Sequence, residues 1–295
     1  KLLMWYPVEV KEKLYGFPWL LDTRVMFYNK TILKAAGLNP DKPPETWRDL
    51  VAAGKKIMET TRQIRANCYA FGINGPDKNV LYKKLLPFIW SNGGDVLSPD
   101  GQSCWLDKSA AREAINFYLS LVPDGIVETQ KQIDQLFLEG RVAFWVSGSW
   151  LLGRIRREKP NLEFSVALIP RPDKGKSVSF AGGEYLVINS RTKFPTQAVA
   201  FAKFLTWPQN TSALSITAGM GFPAMGMESM ENYCAPRWES MQNYCTNLPE
   251  EKIFLQQIEL SLLPRYENQP QWRQIKDIFE KYMGDAISGK VTAQA

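Results

Sequence analysis

Histidine is absent from the 295 residues. That removes the commonest general base at neutral pH and the commonest metal ligand. Serine or cysteine triads of the usual kind are excluded, as are most catalytic zinc sites. Cysteine is scarce, with Cys68, Cys104, Cys234 and Cys245 and no Cys-x-x-Cys spacing. Cys234 and Cys245 lie across a polar segment, a spacing compatible with a local disulfide, and four cysteines allow three pairings. Left free, they would be small buried hydrophobes. No apolar run approaches the roughly 18 residues that span a bilayer. Lys1 opens the chain without a secretory signal pattern, which leaves the compartment open. Walker A, G-x-S-x-G and G-x-G-x-x-G motifs are missing, so no nucleotide or dinucleotide cofactor is implied.

What is present is ordinary for a soluble globular protein: 45% hydrophobic and 22% charged residues. The length suggests about two domains. The net charge is +6. Its densest cluster, Arg154, Arg156, Arg157 and Lys159, reads as a solvated helix face and not as a nucleic-acid surface.

Apolar periodicity predicts strands at 25–28, 69–73, 141–146, 164–168 and 185–188. Helices are expected at 29–36, 47–61, 79–92, 109–121, 131–138, 151–158 and 195–205, with a last one at about 271–288. Thr46 is the expected N-cap of the second helix, with Asp49 completing a variant capping box. Ser98-Pro99-Asp100-Gly101 is a hairpin turn signal. Strands alternate with helices, the α/β pattern. Tyr15 to Trp19 reads as an aromatic loop.

Phe180-Ala181-Gly182-Gly183-Glu184-Tyr185 reads as a loop running into the strand 185–188. Two adjacent glycines permit φ > 0 and a close backbone approach. Tyr185 adds a flat apolar face with a polar tip, and Glu184 adds an acceptor. That combination suits a polyhydroxylated ligand, although on this stretch alone a tight turn before a buried strand is the simpler reading. Trp19, Trp90, Trp150 and Trp272 sit beside Gly or Pro, where an indole can stack on the apolar face of a sugar ring. Arg265 could add paired donors. The carboxylates Asp22, Asp95, Glu139 and Glu184 could serve a glycosidase only at a fixed separation that sequence does not supply.

Several motifs follow one another along the chain. They are Tyr15-Gly16-Phe17-Pro18-Trp19 with Asp22, Phe27-Tyr28-Asn29-Lys30, Pro43-Pro44-Glu45-Thr46-Trp47 and Asn92-Gly93-Gly94-Asp95. Glu139-Gly140-Arg141-Val142-Ala143, Gly148-Ser149-Trp150, Ser179 to Glu184, and Gly221-Phe222-Pro223-Ala224 complete the set. Each is weak alone. In this order they resemble the extracellular solute-binding proteins of carbohydrate ABC transporters, family 1, of the maltose- and trehalose-binding kind.

The resemblance implies a two-lobed α/β fold of the periplasmic binding protein type II, with no catalysis, metal or cofactor. Trp150 would stack on the sugar. Gly182, Gly183, Glu184 and Tyr185 would line the opposing lobe. Trp19 and Asp22 would stand near the hinge, and Arg265 and Trp272 would reach the cleft from the C-terminal region. Relatives carry strands and helices ahead of the Tyr-Gly-Phe-Pro-Trp loop, where this chain has fourteen residues. The first lobe is therefore expected to be incomplete, with residues 1–24 and 172–208 as its remnant. Residues 25–171 and 209–295 would form the second lobe, with hinges near 24–28 and 169–172.

The implied partners are a carbohydrate and the permease subunits of an ABC importer. The protein would be a monomer, periplasmic or otherwise extracytoplasmic, free or lipid-anchored. A phosphorylated polyol such as glycerol 3-phosphate is the alternative ligand; it would need an Arg/Lys pair or a helix N-terminus in the cleft. A carbohydrate-active hydrolase is the alternative of another class.

Overall fold

The computed structural model describes residues 8–63, 67–75, 77–219, 221–224, 249–264, 266 and 271–292. Along them run the strands β1 (Glu9–Val10), β2 (Lys13–Leu14), β3 (Phe17–Asp22) and β4 (Val25–Asn29), then the helices α1 (Lys30–Ala35) and α2 (Trp47–Gln63). Next come β5 (Tyr69–Asn74), α3 (Leu81–Ser91), α4 (Ser109–Ser120), β6 (Gly125–Glu128), α5 (Gln130–Leu138), β7 (Val142–Ser147), α6 (Ser149–Glu158) and β8 (Phe164–Ala167). β9 (Ser179–Phe180), β10 (Gly182–Leu186), α7 (Pro195–Thr206), α8 (Pro208–Ala218), β11 (Phe222–Pro223), α9 (Pro249–Glu259), β12 (Ser261–Leu262) and α10 (Trp272–Ile287) complete the order.

The main sheet has five strands in the order β6-β5-β7-β4-β8. β5 is parallel to β6 and β7, while β4 is antiparallel to β7 and β8. All five residues of β4 are buried, as expected where helices cover both faces of a sheet. Met26 and Tyr28 enter one core, with α2, α3, α4 and α10. Val25 and Phe27 enter the other, with α5, α6 and Phe254 of α9.

Local chemistry sets the helix starts. Asn29 Oδ1 accepts the Ile32 N–H at 3.0 Å and caps α1. Thr46 Oγ1 accepts the Asp49 N–H at 3.1 Å and donates to its carboxylate at 2.7 Å, the expected variant box at α2. Such a cap contributes about 1 kcal/mol.

A second, smaller sheet has the order β10-β3-β11, antiparallel throughout. Helices α7 and α8 pack on β3, and α8 also packs on β11. This sheet corrects two expectations. Residues 17–19 are strand, not an aromatic loop, and Gly182–Leu186 is strand where a loop ending at Tyr185 was expected. Gly182 and Gly183 keep strand geometry, and the φ > 0 freedom of glycine is not used there. β3 supplies the reason, because it pairs residue by residue with β10 and leaves a bulge at Glu184/Tyr185. β6 also went unread: its four half-buried residues are too few for a clear alternation.

Candidate functional site

β3 of the small sheet feeds β4 of the large sheet through two residues, Thr23 and Arg24. This crossing is held by buried hydroxyls. Ser179 Oγ accepts the Arg24 N–H at 3.1 Å and donates to the Arg24 carbonyl at 2.7 Å. Thr23 Oγ1 and Ser261 Oγ lie 2.6 Å apart, and Ser261 Oγ also donates to the Gln257 carbonyl at 2.6 Å. β9 and β12, which carry the two serines, pair in parallel beside the crossing. Backbone that cannot join either sheet is thus satisfied by side chains, as burial demands.

Asp22 closes β3 with Gly182 as its cross-strand partner. Its Oδ1 accepts the N–H of Thr23 at 2.9 Å and of Ser149 at 3.3 Å. Ser149 is the first residue of α6, so the carboxylate stands at a helix N-terminus, where the dipole favours an anion. Ser149 Oγ in turn accepts the Gly221 N–H at 2.6 Å. Burial raises the Asp22 carboxyl above its ordinary value, and Arg24 and the N–H donors offset this only in part.

Arg24 is buried, and its Cζ lies 5.4 Å from the ring centroids of both Trp150 and Phe180. Its Nε and Nη1 have no hydrogen-bond partner. Burial lowers the guanidinium pKa, with Asp22 opposing. Gly182 faces this group: a Cβ there would stand 3.1 Å from Nη1.

Trp150 is fixed by Asp134, a buried carboxylate on α5. Asp134 accepts Trp150 Nε1 at 3.0 Å, Trp145 Nε1 at 2.7 Å and Ser147 Oγ at 3.0 Å. Lys84 of α3 approaches both indoles. It is 2% exposed, donates to the Val146 carbonyl at 2.7 Å, and lies 4.5 Å from the Trp145 ring and 5.6 Å from the Trp150 ring. Burial, reinforced by Arg24, lowers its pKa to about 7.

Phe180 continues an aromatic chain away from Arg24. Tyr82 meets it edge-on at 5.6 Å, Trp272 meets Tyr82 at 6.0 Å, and Tyr266 packs on Trp272 at 4.4 Å. A carboxylate acceptor, a guanidinium donor and an indole thus meet between the two sheets. That set can hydrogen-bond a polyol and face its apolar side.

The structure brings Asp22, Gly182 and Trp150 together at this crossing. Trp19 lies on β3, with its Nε1 buried and unpartnered. Gly183 and Glu184 are exposed on β10, and Tyr185 is half-buried. Trp272 is buried in the main core. Trp19 lies within β3 and not in the aromatic loop expected, while Trp90, Trp150 and Trp272 lie within helices. Arg265, Cys234 and Cys245 lie outside the described residues. Cys68 and Cys104 are free. Among the described residues no group of three or more carboxylates, thiols or imidazoles could hold a metal.

Arg24, Lys84, Asp134 and Phe180 escaped the sequence reading as site residues. A signal existed for Lys84: it shares a helical stripe with Leu81 and Phe88, where a charge is out of place.

Residues 4–232 match the model of a bacterial extracellular solute-binding protein. The chain belongs to that family. A putative binding protein from Brucella abortus is 28% identical over 68% of this chain and 48% of its own length. The maltodextrin-binding protein of Bacillus subtilis is 27% identical over 70% of this chain and 49% of its own. The chain spans about half the length of the curated relatives it matches. An ABC transporter solute-binding protein from Thermotoga lettingae, solved with α-D-tagatose, superposes with a TM-score of 0.83. It is 26% identical and covers 99% of this chain and 71% of its own. The fold is that of periplasmic-type solute-binding proteins, the α/β fold expected from the sequence.

Proposed function

We propose that the chain captures a sugar between its five-stranded and three-stranded sheets and serves as the substrate-binding component of an ABC importer. The carrying observation is the convergence of Asp22, Arg24 and Trp150 at the crossing from β3 to β4. Maltodextrin and tagatose, in the names of two similar proteins, support a saccharide of one to several units. The smaller lobe is built on β10-β3-β11 with α7 and α8. α8 packs on β11 and β3, which supports grouping it with this lobe. The larger lobe is built on the five-stranded sheet, and the hinge lies at residues 22–25.

Ligand that bridges the lobes binds the closed state more tightly and shifts the population toward it. The closed form then docks on membrane permease subunits. The family consists of binding proteins, and we assign this chain no catalysis, a monomeric state and an extracytoplasmic location. No helix among the described residues is long and apolar enough to cross a membrane.

Thermal unfolding across a sugar panel tests the reading. A ligand specific for the native state raises Tm by mass action, by about 2.7 kcal/mol of stability at a hundredfold excess over Kd. A panel of mono-, di- and oligosaccharides that leaves Tm unmoved refutes sugar capture. Turnover of glycosides that disappears on replacing Asp22 would instead establish a hydrolase.

A further inference from the structure

Lys84 is a buried cation without the partners that a buried charge requires. Helix α3 carries it into the core on one stripe with the buried Leu81 and Phe88. An ammonium has three N–H donors. Among the described contacts one of them is used, at 2.7 Å to the Val146 carbonyl. The space beside it does not supply the rest. The adjoining cavity is about 30 Å³, room for little more than one water, and Met26, Phe71, Phe88 and Phe144 make its walls largely apolar.

The charges around Lys84 do not hold its proton. Burial lowers its pKa to about 7, Arg24 at the crossing adds to this, and Asp134 of α5, Asp22 at the end of β3 and Asp77 beyond β5 oppose it only in part. Tyr118 of α4 lines the same cavity, but its hydroxyl turns to the Asn74 carbonyl at 3.4 Å, and burial pushes its pKa further up. The chain has no histidine to titrate in the same range.

Trp150 links this group to the cleft. Lys84 Nζ lies 5.6 Å from its ring centroid and Arg24 Cζ lies 5.4 Å from it, so two cations share one indole. A sugar stacked there turns C–H groups of partial positive charge toward the same π system, and a protonated Lys84 competes with them. Lobe closure also removes water from around Arg24 and Trp150, which strengthens the repulsion between Arg24 and Lys84. The carboxylates do not cancel this. Asp134 is already engaged by three donors, and Asp22 turns to ligand hydroxyls in the same step.

We propose that Lys84 is a positioning residue that couples sugar capture to proton release: closure on Trp150 converts its ammonium to the neutral amine, and the proton passes to solvent. This rests on the sugar-capture reading above. A group that binding drives toward its neutral form lets affinity reach its full value on the alkaline side of its titration, and affinity is lost as the pH falls through it. Acidification therefore loosens the grip on the sugar.

Isothermal titration of the full chain tests this with mono-, di- and oligosaccharides, glucose, D-tagatose, maltose and maltotriose among them. At neutral pH, titrations in phosphate and in Tris should give different apparent enthalpies, with the sign of net proton release. Affinity should be about threefold or more weaker one pH unit below neutral than one unit above it. Lys84→Met keeps the apolar stem without the charge and should remove both effects, whereas a purely structural role would shift affinity equally at every pH. Binding with a buffer-independent enthalpy, with net proton uptake, or with proton release that persists in Lys84→Met overturns the coupling and leaves sugar capture standing. If Lys84→Met does not fold, the enthalpy and pH profile of the unsubstituted protein decide. Binding by no member of the panel overturns both.

Discussion

Ser179 holds Arg24 by both of its backbone polar groups, accepting the N–H at 3.1 Å and donating to the carbonyl at 2.7 Å. One hydroxyl thereby replaces the pairing that residue 24 lacks between the end of β3 and the start of β4. It also fixes the backbone from which the Arg24 side chain reaches Trp150 and Phe180.

Ser179→Ala should therefore destabilise the fold by about 2–3 kcal/mol, because both Arg24 backbone groups lose a buried partner. Urea unfolding measures this. A loss below about 0.5 kcal/mol would mean that the crossing is held by other contacts.

Asp134 gathers the N–H groups of two tryptophans and the Ser147 hydroxyl. Asp134→Ala leaves these donors without an acceptor and should cost about 3 kcal/mol or more. Tryptophan emission should shift as Trp150 is released. An unchanged spectrum and midpoint would show that packing alone holds the indoles.

Trp150→Ala should lower affinity for any ligand found in the thermal panel by about tenfold or more, since it removes a π-face worth about 1–2 kcal/mol in a desolvated site. Stability should fall less than in the Asp134 variant. Unaltered affinity would take Trp150 out of the site.

Lys84 gives the protein a pH dependence of definite sign. Its ordinary value of 10.5 is lowered by burial to about 7. Between these pH values the unfolded chain binds a proton that the folded chain releases. Stability should therefore rise with pH across this window, by up to about 1.4 kcal/mol per unit. Lys84→Met should flatten that slope in urea unfolding at pH 7, 8 and 9. Equal slopes in the two proteins would refute the assignment.

Much of the molecule was readable from local pattern. The continuous apolar run of β4, the Thr46 and Asp49 start of α2, and the placement of Trp150 just after a Gly-Ser turn each depend on residues within a few positions. The amphipathic spacing of α2 and α10 likewise needed no distant partner. Asp22, Gly182 and Trp150 could be named from the sequence, although nothing local showed that they meet.

Tertiary structure decided the rest, because burial and strand pairing depend on residues far away in the chain. Gly182–Leu186 has the composition of a turn and becomes a strand because β3 lies beside it, more than 150 positions earlier. Trp272 opens a helix like any surface indole and is buried because Tyr82 and Tyr266 close over it. Arg24 and Lys84 read as ordinary surface cations. Only the meeting of two sheets and three helices around Trp150 removes them from water.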